Sequence, residues 1–561
     1  MTRQFFIHLL AALLSAAALA ASPPARAQPA APAKPPVPAG QAPSGPLVDA
    51  AWLQGQLGRP DLLVLDASMT HLHAQGHIPG AISADLYRYG PREASAEQMQ
   101  RRLRSWGVQP DQLIVVYDEG GAQMATRLYF DLHEWGGPAR QLVLLDGGLA
   151  AWKAAGGTVT RDPSPRREGI WTLPAARPDI RSRLPEFVAA SGDTGRQALV
   201  DALDPGYYYG ETRFFDRGGH MPNARLLPAD DFYNPDKTFK SADEIRRLVA
   251  YHGLTPDQVV HNYCGGGVAA SVPWFAMKVL LGWPQVKLYL GSQMEYLRDE
   301  RGLPVWTYAA PHLMRERTWV AAWGASMLRM FDAAQLSVVD PRPAAAYALG
   351  HVPFALNLPA ETLAAQLHDA PALAARLGPA GVNDSHEAVV TGDGGINERS
   401  ALAFLALHVA GQRRVSILLD SVDEWGLQGQ TLVKEPTIVG RPASPKDLAV
   451  PQATYAATAR PGVVVRDPGP AAGPYPRVHL ALGSGPLARP VAGTVVRVAT
   501  DAVLKADGAP RPAHEIWSAL SKAGLPRHAE VIATGDTPGQ AAMAYIVLRL
   551  MGWPDVKAWV P

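Results

Sequence analysis

The sequence predicts an α/β protein made of tandem modules, each a parallel sheet with helices on both faces in three layers. The first observation is a strand–turn segment that occurs three times along the 561 residues. The second is a strand–loop–helix–strand segment that occurs four times. The strands also read as continuous apolar runs without alternation, as expected for a parallel sheet buried on both faces.

The first repeated segment is a short apolar strand that ends in aspartate and leads to a Gly-His-x-Pro turn. "LLVLDAS…GHIPGAISADL" recurs as "ALVDALD…GGHMPNARLLP" and "LSVVDPR…GHVPFALNLP". The strands end at Asp66, Asp201 and Asp340. The turns carry His77, His220 and His351. Such self-similarity indicates an array of equivalent structural units.

The second repeated segment is an apolar strand followed by a loop, a helix and another short strand. Its four copies begin at "LIVVYDEGG", "QVVHNYCGGG", "AVVTGDGG" and "EVIATGDTPG". The fourth copy ends in "MGWPDVKAW" (551–559), which nearly duplicates "LGWPQVKLY" (281–289). The fourth module is expected to be degenerate. Its first strand is hard to identify, and no closing helix follows its last strand.

A chain of this length predicts three to five domains. The repeats divide it into a signal peptide (1–27), a Pro/Ala-rich linker (28–45) and modules at 46–160, 185–310, 312–435 and 450–561. Only the module at 185–310 contains a cysteine.

The N-terminus resembles an export signal. Arg3 precedes the apolar run "FFIHLLAALLSAAALAA", and Ala25-Arg26-Ala27 offers a cleavage site between small residues. An N-terminal membrane anchor is the alternative. No later apolar run is long enough to span a bilayer, so we expect a periplasmic protein. The net charge of +1 gives no indication of nucleic-acid or anionic-membrane partners.

Cys264 is the only cysteine of the chain. An exported protein can form disulfides, but one cysteine cannot form one internally, which favours a chemical role. The apolar run "QVV" ends a strand and Cys264 sits at its C-terminal tip, at the sheet edge where ligands bind in parallel α/β folds. Gly265, Gly266 and Gly267 allow successive N–H groups to turn inward as an anion-binding nest, which favours thiolate. An inert buried thiol is the alternative.

These motifs together resemble the rhodanese-like sulfurtransferase family. The resemblance rests on the Asp…Gly-His-x-Pro-x-Ala motif, the strand–cysteine-loop–helix, "GGLAAW" (147–152) and "GSQMEY" (291–296). It covers most of residues 46–561 and is weakest beyond 450. It implies that Cys264 takes sulfane sulfur from a donor as a persulfide and passes it to cyanide, a thiol or a protein acceptor. Val268 and Ala269 complete the implied anion-binding loop. No metal or cofactor is implied.

The resemblance leaves the donor open between thiosulfate, the first choice, and 3-mercaptopyruvate. "CGGGVAA" is closer to the mercaptopyruvate branch, which however has a hydroxyl residue where this chain has Gly266. Both branches place arginine shortly after the second-module aspartate, where this chain has Leu203 and Tyr207. Arg213 and Arg217, with His220, are the candidate substitutes. Each could instead be a surface charge or, for His220, a structural residue of the turn.

The cysteine-free modules are expected to be inactive, since their loops carry carboxylates where a persulfide would sit. These residues are Asp118, Glu119, Asp393 and Asp536. Acid–base catalysis by these carboxylates is the alternative. The first module should dock on the second, with residues near 85–91 walling the cleft, and the third and fourth should extend the surface for an acceptor. A phosphatase is disfavoured because Ala270 stands where phosphate-binding arginine is needed. A persulfide carrier without turnover is the remaining alternative.

Overall fold

A computed structural model describes residues 42–561 except 90–93, 122, 136–141, 175–176, 325, 331–332, 442–443, 445–446, 472, 484, 486 and 488–489. The predicted signal peptide (1–27) and most of the predicted linker, up to residue 41, lie outside the described residues. Among the described residues, no helix combines the length and the apolar character needed to cross a membrane.

The first module is a parallel sheet in the order β1-β5-β4-β2-β3. Its strands are β1 (Leu47–Val48), β2 (Leu62–Asp66), β3 (Ile82–Ser83), β4 (Leu113–Tyr117) and β5 (Leu142–Leu145). Its helices are α1 (Ala50–Gln56), α2 (Thr70–Gln75), α3 (Leu86–Tyr89), α4 (Ala96–Ser105), α5 (Gln123–Glu134) and α6 (Gly148–Ala154). All five residues of β4 are buried, which explains its unbroken apolar run.

The second module repeats this sheet in the order β6-β10-β9-β7-β8. Its strands are β6 (Arg181–Ser182), β7 (Gln197–Asp201), β8 (Ala224–Leu226), β9 (Val259–Tyr263) and β10 (Val286–Tyr289). Its helices are α7 (Leu184–Gly192), α8 (Pro205–Tyr208), α9 (Ala242–Tyr251), α10 (Ser271–Trp274) and α11 (Ser292–Tyr296). The residues Phe275–Leu280 continue α10 as a π-helix.

The third module has the same topology, β11-β15-β14-β12-β13. Its strands are β11 (Met314–Arg315), β12 (Leu336–Asp340), β13 (Ala355–Asn357), β14 (Glu387–Val390) and β15 (Arg414–Leu418). Its helices are α12 (Arg317–Trp323), α13 (Ser326–Met330), α14 (Ala344–Leu349), α15 (Ala360–Ala364), α16 (Ala370–Leu377), α17 (Glu398–Val409) and α18 (Val422–Leu427). A short parallel pair follows, β16 (Ile438–Val439) with β17 (Ala449–Val450).

The fourth module also contains a five-stranded parallel sheet, β18-β22-β21-β19-β20. Its strands are β18 (Val464–Val465), β19 (Arg477–Leu482), β20 (Thr494–Val498), β21 (Glu530–Thr534) and β22 (Val556–Trp559), with helices α19 (Ala513–Lys522) and α20 (Pro538–Leu550). The strand that is hard to find in the sequence is β19, which ends in Leu482 rather than aspartate and leads to no Gly-His-x-Pro turn. The four sheets confirm the predicted α/β class with parallel sheets.

The modules pack as two pairs, each with a shared hydrophobic core. Phe130 of α5 and Trp274 of α10 belong to one cluster that joins the first and second modules. A second cluster joins the third and fourth modules and also takes in Tyr208 and Tyr209 of the second. A side-chain hydrogen bond reinforces this link, since the Tyr209 hydroxyl donates to the Met551 carbonyl at 2.7 Å. The cysteine module is therefore packed against both the first and the fourth.

Candidate functional site

The sequence-predicted nucleophile, Cys264, follows the last residue of β9 and lies at the carboxyl edge of the second sheet. Its surface is only 2% exposed. It is a free thiol. Residues 264–270 form an irregular loop, and α10 begins at Ser271. The helix therefore starts later than the glycines, so the loop backbone and not the first helical turn surrounds the sulfur.

The loop backbone is held in place by hydrogen bonds on both sides of the sulfur. The Gly267 N–H donates to Cys264 Sγ over 3.1 Å. The Cys264 N–H donates to Ser292 Oγ at 3.1 Å, and the Cys264 carbonyl accepts from the Gln293 N–H at 3.0 Å. An N–H directed at the sulfur stabilises negative charge there, because hydrogen bonds to ionised acceptors are stronger than those between neutral groups.

Two of the three glycines are required by the space around the loop. A Cβ at position 265 would lie 2.5 Å from the ring of Phe214. Gly267 has a φ of +78°, and a Cβ there would lie 2.9 Å from the backbone of Leu290. A side chain at either position would displace the backbone that surrounds the sulfur. Because Gly265 and Gly267 have no side chain, the ring of Phe214 and the backbone of Leu290 can pack directly against the loop.

The far end of the loop is anchored by the first module. Ser271 Oγ donates to the Val268 carbonyl at 2.6 Å and shares a hydrogen bond of 2.8 Å with Thr126 Oγ1 of α5. The Val272 N–H donates to the Ala269 carbonyl. The two residues predicted to complete the loop therefore act through their carbonyls, which link the loop to the start of α10.

A cavity of about 940 Å³ adjoins the loop at Gly266 and Met294. Met294 is 47% exposed, and its Sδ would lie 3.2 Å from a Cβ added at Gly266. The cavity also reaches Arg298, whose guanidinium lies 4.7 Å from the ring centre of Phe215. Glu295, Asp299 and Glu300 line the same cavity, so charges of both signs lie around Arg298. The size of the cavity and its apolar wall near the loop suit a small molecule.

The two predicted donor-binding arginines differ in what they contact. The Arg217 guanidinium donates to the Leu303 carbonyl at 2.7 Å and to the Leu297 carbonyl at 2.9 Å. These bonds fix the chain after α11. A contact between Arg217 and the donor stays a prediction. Arg213 is exposed and contacts the Asp216 carbonyl at 3.4 Å. A contact between Arg213 and the donor stays a prediction.

His220, the third predicted substrate contact, is fully buried within its turn. Its Nδ1 lies 2.8 Å from the Tyr208 carbonyl, and its ring stacks on Tyr208 with centroids 3.5 Å apart. Burial lowers the pKa of His220 to about 3, so the ring is neutral. His77 and His351 make the same contacts, through the His73 and Tyr347 carbonyls. The structure thus favours the structural alternative for this histidine.

The repeated aspartates hold the ends of their strands. Asp201 accepts from the Tyr263 hydroxyl at 2.7 Å and from the Leu203 N–H at 3.0 Å. Burial raises the pKa of Asp201 to about 7, against the lowering effect of these two hydrogen bonds. Asp66 accepts from the Tyr117 hydroxyl in the same way. These aspartates therefore brace the strand that precedes each loop.

The cysteine-free loop of the first module is filled by its own carboxylate. Asp118 accepts from the Gly120 N–H at 2.9 Å and from the Met124 and Ala125 N–H groups at 3.1 Å. The N–H groups that could surround a persulfide are thus occupied by aspartate oxygens. Burial raises the pKa of the neighbouring Glu119.

The corresponding loops of the third and fourth modules also carry aspartates, each with a contact to a residue of its own loop or of the helix that follows. Asp393 forms an ion pair of 2.5 Å with Arg399. The Asp536 N–H donates to Gln540 Oε1 at 2.9 Å. Among the described residues, no group of three or more His, Cys, Asp and Glu side chains is arranged to hold a metal.

The first module docks on the second through α5, which packs against α10 and the π-helical turn that continues it. The ring of Phe130 meets Trp274 edge-on at 4.8 Å, and Tyr129 meets Phe275 at 4.9 Å. Asp85, in the suggested segment 85–91, accepts from Thr70 of its own module. Residues 90 and 91 lie outside the described residues. A contact between this segment and Cys264 therefore stays a prediction.

Three residues around the loop escaped the sequence reasoning. Phe214 covers Gly265 and stacks on Tyr207 at 4.6 Å. Ser292 holds the Cys264 N–H, and Met294 lines the cavity. Ser292 and Met294 fall within "GSQMEY", which was noted only as a repeated element. No pattern marked Phe214, because its position depends on how the 203–220 segment folds back over the loop.

A family model described as a rhodanese-like domain matches residues 49–155 and 325–428. These segments lie in the first and third modules, and neither includes Cys264. Among relatives, the "Probable 3-mercaptopyruvate sulfurtransferase" of Pseudomonas aeruginosa is 34% identical, over 46% of this chain and 97% of that protein. The "Sulfur carrier protein TtuD" of Thermus thermophilus is 32% identical, over 45% and 93%.

A third relative, from Synechococcus elongatus, is provisionally named a thiosulfate sulfurtransferase; it is 30% identical over 46% of this chain and 84% of that protein. Solved structures also match. SseA from Escherichia coli, in a study of 3-mercaptopyruvate sulfotransferases, has a TM-score of 0.41 at 26% identity, covering 44% of this chain and 99% of that chain. EanB has a TM-score of 0.42 at 24% identity, covering 47% and 69%.

Proposed function

The chain belongs to the rhodanese-like sulfurtransferase family and is a sulfurtransferase, and from this premise we propose that Cys264 carries the transferred sulfur. The single observation behind the proposal is the Gly267 N–H that donates to Cys264 Sγ at 3.1 Å. The same donor can stabilise the thiolate before the transfer and the terminal sulfur after it.

The proposed reaction has two steps. The Cys264 thiolate attacks the outer sulfur of thiosulfate, the sulfur–sulfur bond of the donor breaks, and sulfite leaves with the electron pair. With 3-mercaptopyruvate, the carbon–sulfur bond breaks instead and the thiol proton ends on the carbon of pyruvate. The product in both cases is a Cys264 persulfide. Attack by cyanide on its outer sulfur then yields thiocyanate and returns the thiolate.

We propose that the donor reaches the sulfur through the cavity beside Gly266. Met294 lines the cavity next to Gly266, and Arg298, further along the same cavity, offers positive charge to the donor's oxyanion or carboxylate. We propose both thiosulfate and 3-mercaptopyruvate as candidate donors. Relatives with both names support keeping the two in competition.

Intact-protein mass spectrometry tests the nucleophile. Wild type and Cys264→Ser are incubated with each donor, and cyanide is then added while thiocyanate is counted. We expect the wild type alone to gain one sulfur and to discharge it over many turnovers. Loading on Cys264→Ser would contradict the assignment. Loading of the wild type that stops after one discharge would instead support the carrier alternative, for which the carrier name of one relative is the supporting observation.

Steady-state kinetics tests the donor path. Arg298→Gln should raise the donor KM several-fold with little change in kcat, because Arg298 lies along the cavity rather than at the sulfur. Arg213→Gln is the matched comparison, since both arginines are exposed and close to the aromatic segment 214–215. A KM effect confined to Arg213→Gln would move the donor site to the position predicted from sequence.

We further propose that the protein is exported and acts in the periplasm, on the support of the N-terminal pattern around Arg3 and Ala25-Arg26-Ala27. Cell fractionation with N-terminal sequencing of the mature protein tests this. Expression in a Gram-negative host should give a periplasmic product that begins at Gln28. A product that retains residues 1–27 in the membrane fraction would support the anchor alternative.

A further inference from the structure

A second cavity, of about 500 Å³, lies between the second and fourth modules. It is lined from the second module by residues of β7 and β8 together with Tyr208 and Tyr209. The fourth module contributes Trp517, the segment 551–554 and two arginines. The 264–270 loop is not part of this wall, so the cavity is separate from the candidate sulfur site. Its size is that of a small-molecule site.

The charged side chains that line this cavity, within the part of the chain that the structure describes, are all arginines: Arg225, Arg527 and Arg549. Arg527 is neutralised by an ion pair with Asp231. The Arg225 guanidinium donates to the Gly253 carbonyl at 3.2 Å, and the Arg549 guanidinium to the Pro554 carbonyl at 3.2 Å. Backbone carbonyls satisfy N–H groups without cancelling charge, so the cavity keeps a positive potential.

Burial and the proximity of the arginines to one another make this positive charge unfavourable when no anion lies in the cavity. Burial lowers the pKa of Arg225. Burial and the nearby His528, Arg527 and Arg225 together hold the pKa of the cavity residue His252 well below its ordinary value. A negatively charged group in the cavity would relieve this repulsion. Arginine also matches the geometry of carboxylate and phosphate oxygens.

One wall of the same cavity is aromatic. The Trp517 ring stacks on Tyr209 with centroids 5.3 Å apart and on Trp553 at 5.9 Å. The Tyr209 hydroxyl is already used by the Met551 carbonyl, so this wall offers ring surface rather than hydrogen bonds. An inorganic ion has no apolar part that could pack on this aromatic wall. The combination of cations and rings fits an organic anion.

We propose that this cavity binds a small organic anion with carboxylate or phosphate groups, whose charge meets Arg225 and Arg549 and whose carbon skeleton lies on Trp517. Because the cavity is formed by two modules, its occupant also stabilises the docking of the fourth module on the cysteine module. The site is independent of the sulfur chemistry proposed for Cys264.

Isothermal titration of the full chain with citrate, and separately with inorganic phosphate, tests the site and distinguishes the two anion chemistries. We expect saturable binding of at least one probe, and roughly tenfold weaker binding in Arg225→Gln and in Arg549→Gln, as for loss of a charge-assisted contact. Arg246→Gln is the control, because Arg246 is an exposed arginine paired with Asp243 on α9. Its affinity should equal that of the wild type.

Absence of saturable binding with both citrate and phosphate would overturn the proposal. So would equal affinities in wild type and both cavity variants, which would place the anion elsewhere, for instance at the Cys264 loop. If Arg225→Gln does not fold, Arg225→Lys and Arg549→Lys keep the charge and lose the planar fork, and they should weaken binding several-fold. Trp517→Leu tests the contact with the carbon skeleton, since it should weaken the binding of citrate more than the binding of phosphate.

Discussion

The ring of Phe214 lies against the backbone of Gly265, at a distance that leaves no space for a side chain on the residue after Cys264. A methyl group at position 265 would come within 2.5 Å of Phe214 Cζ. Phe214 is in turn stacked on Tyr207, one of the two positions at which the family resemblance implies a donor-binding arginine. In this chain an aromatic pair thus covers the nucleophile loop.

Gly265→Ala should therefore disturb the loop and reduce sulfur transfer. The new methyl group must displace either a stacked ring or the backbone next to the nucleophile, and a misplacement of about 1 Å can cost on the order of 100-fold in rate. Thiocyanate formation measures the effect. Gly192→Ala is the control, since nothing lies within 4 Å of a Cβ at that position. Adding Phe214→Leu to Gly265→Ala should restore part of the activity, and no restoration would contradict the steric explanation.

Asp118→Ala should destabilise the protein without preventing persulfide formation. The change leaves three N–H groups of the first-module loop without their carboxylate, and an unsatisfied buried group costs about 1–3 kcal/mol. Urea unfolding measures the stability, and mass spectrometry of the folded fraction measures loading at Cys264. Asp162→Ala, at an exposed position, is the control. Loss of loading in protein that remains folded would show that the first-module loop takes part in the chemistry.

Trp274→Ala should lower both stability and activity, because the helix that follows the loop rests on the first module. Trp274 is fully buried and meets Phe130 and His133 edge-on. Removal of such a ring costs about 3–5 kcal/mol. Trp323→Ala, at a tryptophan that is 46% exposed, should have little effect. The milder Phe130→Leu tests the same contact from the first module, and unchanged activity there would contradict the coupling.

Stability should fall as the pH drops from 6.5 towards 4. His261 is fully buried, with Nδ1 at 2.6 Å from Ser182 Oγ, and burial lowers its pKa to about 4. The unfolded chain then binds a proton that the folded chain does not, so His261 contributes a loss of about 2 kcal/mol at pH 5.

Urea unfolding at pH 7 and pH 5 measures this loss. His261→Gln should show a smaller difference between the two pH values than the wild type. His71→Gln, at an exposed histidine, should behave as the wild type does. An equal pH dependence in the wild type and His261→Gln would mean that other buried groups account for the acid sensitivity.

The repeats were readable from the sequence because they follow local rules. Continuous apolar runs mark strands buried on both faces, and the Asp66, Asp201 and Asp340 strand ends recur because each carboxylate braces the turn that follows its strand. The fourth module was harder to read, since β19 lacks this aspartate. The lone Cys264 and its glycines likewise stand together in the chain, so the nucleophile loop could be predicted.

The surroundings of that loop were decided by the tertiary structure. Phe214 from one segment, and Ser292 and Met294 from another, reach the loop that begins at Cys264, and no local pattern encodes such contacts. The charge and position of Arg217 suggested a donor contact, whereas the two backbone carbonyls that accept from its guanidinium could be located only in the folded chain. Sequence spacing fixes which backbone turns form, because turns depend on neighbouring residues. Which side chains meet across a cleft depends on the packing of whole modules, which only the folded chain determines.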